Sequence, residues 1–206
     1  METETKDTIP LWLAVAITVC VSLPFGIWLG SYNIPIWASF IVWAEYFALG
    51  AKPSALRTMV PAYTLGVVAA AIIMTAYMLL STQFGKGSVF TSGDWSFTYD
   101  NVALFLTCFV GFCIFIYAMK YAPVTQTGSL PFFNGISMML GVFFTGAFTK
   151  AVAPDIDVNL LPLVAGVGAF VAGMLGAALG WFNVTIMFPR PVAKARTQPG
   201  HQPAGA

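Results

Sequence analysis

Glu45 is the residue whose type and position most clearly indicate chemistry. It is the only charged residue of the apolar segment 34–50, where it lies between Trp43-Ala44 and Tyr46. A charged side chain at the centre of a membrane helix costs about 2.5–3.5 kcal/mol on insertion scales, so it usually faces a partner or a water-filled cavity. We therefore predict that Glu45, with Tyr46 beside it, binds a proton or a cation, or a cationic or amide solute.

A second interpretation makes Glu45 an anchor at the membrane surface. Lys52 follows seven residues later on the same helix face, and Arg57 is close in sequence. At 1.5 Å per residue, Glu45 lies only about 7–8 Å from the end of its short segment. A carboxylate there could form a salt bridge with either basic residue. The sequence leaves both interpretations open.

Asn134 is the second candidate, in the string Pro131-Phe-Phe-Asn-Gly135. Proline and glycine around an asparagine can break a membrane helix and free backbone carbonyls for a substrate or an ion. Alternatively the string begins a helix, with Ser129 as the N-cap and Pro131 in the first turn. The first interpretation predicts a site for a solute or an ion, and the second predicts only a helix start.

Other catalytic or metal-binding patterns are missing from the sequence. His201, the single histidine, lies near the C-terminus, and Cys20, Cys108 and Cys113 lie within apolar segments, where we expect them to pack as small apolar side chains. A net charge of +1 gives no basic field for a nucleic acid. We predict no enzyme activity, no metal, no cofactor and no nucleic-acid partner.

The composition predicts the elements that must position these residues. The 206 residues are 58% hydrophobic and 8% charged, against about 25% charged in a soluble domain. Lipid is the solvent that suits such a surface, and only helices fit these long apolar segments. We predict an all-α integral membrane protein with about six transmembrane helices. The predicted spans are 11–30, 34–50, 60–84, 102–119, 129–148 and 160–188.

Basic residues predict the orientation of these spans. With six crossings, seven of the nine Lys and Arg residues fall on the side of both termini, and only Lys86 and Lys150 fall on the other. Because Lys and Arg are retained in the cytoplasm, both termini are predicted to be cytoplasmic. Residues 1–10 are then a cytoplasmic N-terminus, 11–188 the membrane domain, and 189–206, rich in Pro, Gly, Ala and Gln, a disordered cytoplasmic tail.

The order of the segments suggests two halves of three helices each. Phe47–Lys52 ends the second segment and Phe144–Lys150 ends the fifth, with related residues, and each precedes a proline and an Ala/Gly-rich helix. An odd number of helices per half would insert the second half upside down, as in many transporters. We therefore predict two inverted three-helix halves.

Two further features concern helix shape and packing. Pro24 in the first segment removes a backbone hydrogen bond and predicts a kink. Small residues recur every fourth position in the last segment, which lets helix backbones approach closely in lipid. These residues are Gly168, Ala172, Gly176 and Gly180. We predict that they pack on the third helix, with a homo-oligomer contact as the alternative.

Several strings resemble a family of small bacterial inner-membrane proteins of unknown function, the YcdZ-like (DUF1097-type) family. The strings are Trp37-Ala-Ser-Phe40 with Tyr46-Phe-Ala48, Phe109-Val-Gly111 with Lys120, Pro131–Gly135, and Leu161-Pro162 before the glycine stripe. The resemblance covers roughly residues 11–187. It implies a helical bundle in the inner membrane and no defined activity, and Glu45 departs from the mostly neutral residue expected in the family.

Together these observations predict a protein embedded in the bacterial cytoplasmic membrane. A compact bundle with isolated polar residues inside its spans is typical of a transporter or channel for a small solute. Small-residue stripes and few polar groups are equally typical of a membrane subunit that scaffolds a partner protein without transporting anything. The sequence names no substrate.

Overall fold

The structure, a computed structural model, describes residues 3–34, 36–83, 99–188 and 190–193. The main helices are α1 (Leu11–Gly30), α2 (Ile36–Ala48), α3 (Pro53–Gln83), α4 (Tyr99–Met119), α6 (Ser129–Thr145) and α8 (Leu161–Ile186). Short helices α5 (Pro123–Thr127) and α7 (Ala147–Val152), a 3₁₀ turn (Val158–Leu160), and strands β1 (Thr3–Lys6) and β2 (Arg190–Ala193) complete the described elements. The predicted helical fold is confirmed.

Four described helices are long and apolar enough to cross a membrane. They are α1, α3, α4 and α8, the last extended by the 3₁₀ turn before it. The 31 residues of α3 alone give a length of about 46 Å, more than the roughly 30 Å of a bilayer's hydrocarbon core. The other two main helices, α2 and α6, are apolar but shorter. The chain therefore has the long apolar helices of a helical membrane protein.

Two of the differences between the observed helix ends and the predicted spans have a clear cause. Helix α3 begins at Pro53 rather than at residue 60, because proline suits a first helical turn, where its missing N–H is not needed. The fifth span was expected to reach residue 148, but α6 ends at Thr145. There Gly146 takes a left-handed conformation (φ 61°) and its N–H bonds to the carbonyls of Val142 and Phe143.

The core is built from α2, α3, α6 and α8, and the other two long helices lie outside it. In α1 only Ala14, Thr18 and Ser22 are buried, and the helix packs mainly on α8. None of the spanning residues of α4 is buried, and that helix packs mainly on α3. Such exposed apolar faces suit contact with lipid.

The stripe Gly168, Ala172, Gly176 and Gly180 of α8 packs mainly on α2, whereas the predicted packing of this helix on α3 comes from its other small residues. A Cβ at Gly176 would collide with the carbonyl oxygen of Ser39, and one at Gly180 would lie 2.8 Å from the Cβ of Tyr46. Gly168 instead faces the ring of Phe148 in α7. The contact with α3 comes from the neighbouring row, where Gly173 lies against the ring of Tyr63.

Helices α3 and α6 cross through a reciprocal pair of glycines. Gly66 of α3 approaches the backbone carbonyl of Phe132, and Gly135 of α6 approaches the backbone carbonyl of Tyr63. A Cβ at either glycine would clash with the oxygen opposite. Close crossings of this kind allow Cα–H···O contacts between membrane helices, where no hydrophobic force draws the helices together.

The two ends of the membrane domain lie together. Strands β1 and β2 pair antiparallel, with Thr3 opposite Ala193, and the carbonyl oxygen of Met187 accepts bonds from the N–H groups of Thr8 and Ile9 at 3.0 and 3.2 Å. The prediction of a disordered tail is therefore wrong for Arg190–Ala193, because its backbone pairs with the N-terminal segment. Residues 194–206 lie outside the described part of the chain.

Pro24 lies inside α1, which continues as one helix from Leu11 to Gly30. Two residues earlier the hydroxyl of Ser22 donates a hydrogen bond to the carbonyl of Val19 at 2.7 Å. A bend at Pro24 stays a prediction.

The crossing of α2 and α8 gives a first test. We expect Gly176→Ala to lower the thermal stability of the detergent-solubilised protein, since overpacking a close contact costs about 1–3 kcal/mol. The control is Gly166→Ala on the same helix, whose added methyl would meet Ala71 and Val67 at ordinary distances of 3.5 and 3.6 Å. Equal melting temperatures for both variants would contradict the crossing.

Candidate functional site

Glu45 lies one turn before the end of α2, and backbone hydrogen bonds close that end of the helix. Gly50 has φ 92° and its N–H bonds to the carbonyl of Phe47 at 2.9 Å, while the N–H of Ala51 bonds to the carbonyl of Tyr46 at 3.0 Å. These two bonds form a Schellman motif, in which a left-handed glycine closes a helix. The sequence Leu49-Gly50 thus fixes where the helix stops and how Glu45 is placed within it.

The carboxylate of Glu45 is buried and unpaired. The residue is 3% exposed, and each of its carboxylate oxygens exposes less than 1 Å² and lacks a hydrogen-bond partner. Within the described residues it forms no ion pair, and Lys52 and Arg57 are both exposed. The interpretation of Glu45 as a salt-bridged anchor therefore has no contact to support it.

Asn134 and Tyr63 come from other helices to face this carboxylate. The half-buried Asn134 of α6 brings its amide near enough to interact with the carboxylate, although outside hydrogen-bond geometry. Tyr63 of α3 is fully buried and lies close enough to Glu45 for an electrostatic interaction with its carboxylate. Its hydroxyl donates to the carbonyl of Ala169 in α8 at 2.8 Å. The two polar residues singled out in the sequence thus meet at a junction of α2, α3, α6 and α8.

The helix that carries Asn134 is unbroken, so the broken-helix interpretation of Pro131–Gly135 is wrong. Helix α6 is regular from Ser129 to Thr145, with Pro131 in its first turn, where the ring is tolerated. The helix-start interpretation is confirmed except for the cap. Gly128, not Ser129, holds the N-cap position, and it fits closely between α3 and the carbonyl of Val124.

Tyr46 lies at a helix interface instead of completing this group. It is fully buried against Gly180 of α8, and its hydroxyl has no hydrogen-bond partner. Its role in the described structure is to fill the contact between α2 and α8.

A second polar contact was missed by the reasoning from sequence. Asn183 of α8 donates to the hydroxyl of Thr18 in α1 at 3.0 Å, and both residues are fully buried. Thr18 in turn donates to the carbonyl of Ala14 at 2.9 Å, while the amide oxygen of Asn183 is unpaired. An asparagine within a glycine-rich apolar helix is the signal that could have revealed this contact, since such residues often bond across membrane helices.

Two apolar grooves lie away from Glu45. The larger, about 570 Å³, runs between α3 and α4, and the smaller, about 310 Å³, between α3 and α8. Neither is lined by Glu45 or Asn134. Across residues 3–34, 36–83, 99–188 and 190–193, no cluster of three His, Cys, Asp or Glu side chains could hold a metal ion.

No protein-family model matches the chain, and neither does any curated protein or any solved structure. The resemblance to the YcdZ-like family therefore stays a prediction. What the geometry itself offers is a buried carboxylate and an amide, contributed by two different helices.

The lack of a partner for Glu45 can be tested through stability. We expect Glu45→Gln to melt at the same temperature as the unmodified protein or higher, because a buried group without an ion pair gains nothing from its charge. Lys52→Gln should have no effect, and the double variant should equal the sum of the two. A coupling energy above about 0.5 kcal/mol between positions 45 and 52 would instead reveal an ion pair.

Proposed function

We propose that this protein is a six-pass transporter for a small solute in the bacterial cytoplasmic membrane, with both termini in the cytoplasm. Glu45 and Asn134 would form its site for the solute or for a coupling ion. The observation that carries the proposal is the buried, unpaired carboxylate among four helices, since intramembrane carboxylates of this kind mark ion and substrate pathways.

Contacts between connecting segments support six crossings. The side chain of Asn33, before α2, donates to the carbonyl of Ala147, after α6, at 3.2 Å. The hydroxyl of Thr82, at the end of α3, bonds to Asn159 at 2.6 Å. These contacts gather three connections at one end of the bundle. Gly128, before α6, packs against Thr58 and Ala62 near the start of α3, at the opposite end.

Helices α2 and α6 would therefore also run from one end of the bundle to the other. Each begins at the end of the bundle opposite to the one where it stops, although α2 contains only 13 residues and is about 20 Å long. The connections that flank α2 would supply the remaining length. Six passes agree with the pairing of both chain ends in β1 and β2.

Helix packing supports two inverted halves, α1–α3 and α4–α8. The most extensive helix pairs are α3 with α6 and α2 with α8, and exchange of the halves turns one pair into the other. The same exchange relates the packing of α1 on α8 to that of α4 on α3.

The crossing points agree with this symmetry. Gly50 and Gly146 are the left-handed glycines that end α2 and α6. The residue 11 positions earlier is Ser39 in α2 (50 − 39 = 11) and Gly135 in α6 (146 − 135 = 11), and both lie at the close crossings. Each half thus places the same point of its second helix on the third helix of the other half.

The site is divided between the halves, which suits alternating access. Glu45 belongs to the first half and Asn134 to the second, so a rocking motion of one half against the other would change the distance between carboxylate and amide. Transporters with inverted repeats bind substrate at such an interface. Solute binding would then favour one arrangement of the halves by its different contacts in the two.

A scaffold for a partner protein is the second candidate, and the exposure of α4 favours it. None of the spanning residues of that helix is buried, so it could seat a partner's helix. The glycine stripe of α8 could not serve this purpose, because Gly168, Gly176 and Gly180 are already covered within the chain.

The six-pass topology can be tested by cysteine labelling in a variant without the three native cysteines. We expect a membrane-impermeant maleimide added to intact cells to label Ser31→Cys and Asp155→Cys. Lys52→Cys and Gln126→Cys should react only after the cells are permeabilised. Labelling of positions 31 and 52 from the same side would show that α2 does not cross.

Transport can be tested by uptake into proteoliposomes of radiolabelled small solutes that are cationic, neutral amides or anionic. We expect Glu45→Gln and Asn134→Leu to lower uptake of the transported solute at least about tenfold, since each removes a polar group of the proposed site and tenfold corresponds to only about 1.4 kcal/mol. Asp155→Asn, which removes an exposed loop carboxylate, is the control and should transport normally. Equal uptake by Glu45→Gln and the unmodified protein would refute the site.

A further inference from the structure

We propose that the ion bound at Glu45 is a proton rather than a metal cation, and that Glu45 carries this proton in the conformation described here. The inference deepens the proposed function: its importance for coupling rests on transport, whereas protonation itself can be measured without any solute.

Side-chain ligands for a metal cation are too few around Glu45. Hard cations such as Mg²⁺ and Ca²⁺ require about six to eight oxygen ligands. Among the described residues, the polar side chains found to interact with the carboxylate are the amide of Asn134 and the hydroxyl of Tyr63. That hydroxyl already donates to the carbonyl of Ala169, so it is held by another group.

The backbone carbonyls of Glu45 and of the two residues after it are already hydrogen-bonded. Transporters that bind Na⁺ use carbonyls freed where a helix unwinds or ends. At the end of α2 the carbonyls of Glu45, Tyr46 and Phe47 accept bonds from the N–H groups that follow, at 2.9–3.0 Å. Helix α6 passes Asn134 without a break. A proton needs no ligand shell, so it is the cation that fits.

Charge balance leads to the same conclusion. In α3, which packs on α2, Tyr63 is the titratable residue that faces Glu45. In α1 the one titratable residue is Cys20, which is exposed. Helices α6 and α8 contain no titratable side chain, and the exposed Lys52 and Arg57 form no pair with Glu45. An ionised carboxylate would thus be buried without a counter-charge, which is costly, whereas a protonated one is neutral.

The protonated form of Glu45 can also form hydrogen bonds with Asn134. A carboxylic acid has an O–H that can donate to the amide oxygen of Asn134 and a carbonyl oxygen that can accept from its NH₂ group. A small movement of α2 toward α6 would allow both bonds. Proton uptake from water would in this way join the two halves, and proton release would separate them.

Infrared difference spectroscopy of the full-length protein, reconstituted in zwitterionic phospholipid vesicles, tests the inference. We expect a carboxylic-acid carbonyl band that grows as the pH is lowered, is lost in Glu45→Gln, and has the same midpoint with or without sodium. Asp155→Asn should keep the band. Asn134→Leu, which retains the carboxyl group, should shift the band because the acid loses the polar amide that faces it.

Three results would overturn the inference. They are a midpoint that sodium shifts at constant pH, a band that survives in Glu45→Gln, and the absence of any such band from the unmodified protein. If Glu45→Gln fails to fold, an unshifted band in Asn134→Leu would also overturn it. The uptake experiment tests transport independently of protonation. A pH-dependent band without uptake of any solute would refute transport and leave the proton site in place.

Discussion

Close approach between helix backbones is the constraint on which the rest of this structure depends. In lipid, apolar side chains gain little by moving from acyl chains to another helix, so association depends on packing and on polar contacts. Three glycines, Gly66, Gly135 and Gly176, each lie against a backbone carbonyl of another helix. These crossings join α3 to α6 and α2 to α8, and the core that the four helices form excludes Glu45 from solvent.

The sequence predicted the helices better than it predicted their neighbours. Apolar length identifies a membrane helix because the bilayer sets a minimum length, and this requirement is local to each segment. A glycine stripe shows only that something approaches closely. The stripe of α8 was assigned to α3, yet Gly176 and Gly180 meet α2, since the partner depends on how the whole chain folds. Pairing of Arg190–Ala193 with the N-terminus was missed for the same reason.

The candidate site was also predicted only in part, because its residues are visible in the sequence and their proximity is not. Glu45 and Asn134 stand out because polar residues within apolar segments are costly, and that cost can be seen in the sequence alone. Their proximity could not be foreseen, because it arises from the placement of α6 beside α2. Tyr63 gave no signal at all, since a tyrosine among apolar residues is ordinary, and only its contacts with Ala169 and Gly173 reveal its position.

In the proposed arrangement of two inverted halves, the halves differ in the residues that matter for the proposed chemistry. Counted from the terminal glycines Gly50 and Gly146, the position equivalent to Glu45 is Gly141 (146 − 141 = 50 − 45), and the position equivalent to Asn134 is Ala38 (50 − 38 = 146 − 134). The crossing points keep the symmetry while the polar residues do not. A symmetric scaffold can adopt two arrangements of similar energy that are related by exchange of the halves. A ligand that binds an asymmetric charge within the scaffold can favour one of these arrangements. In this protein that asymmetry rests on Glu45 and on the amide that faces it from the other half.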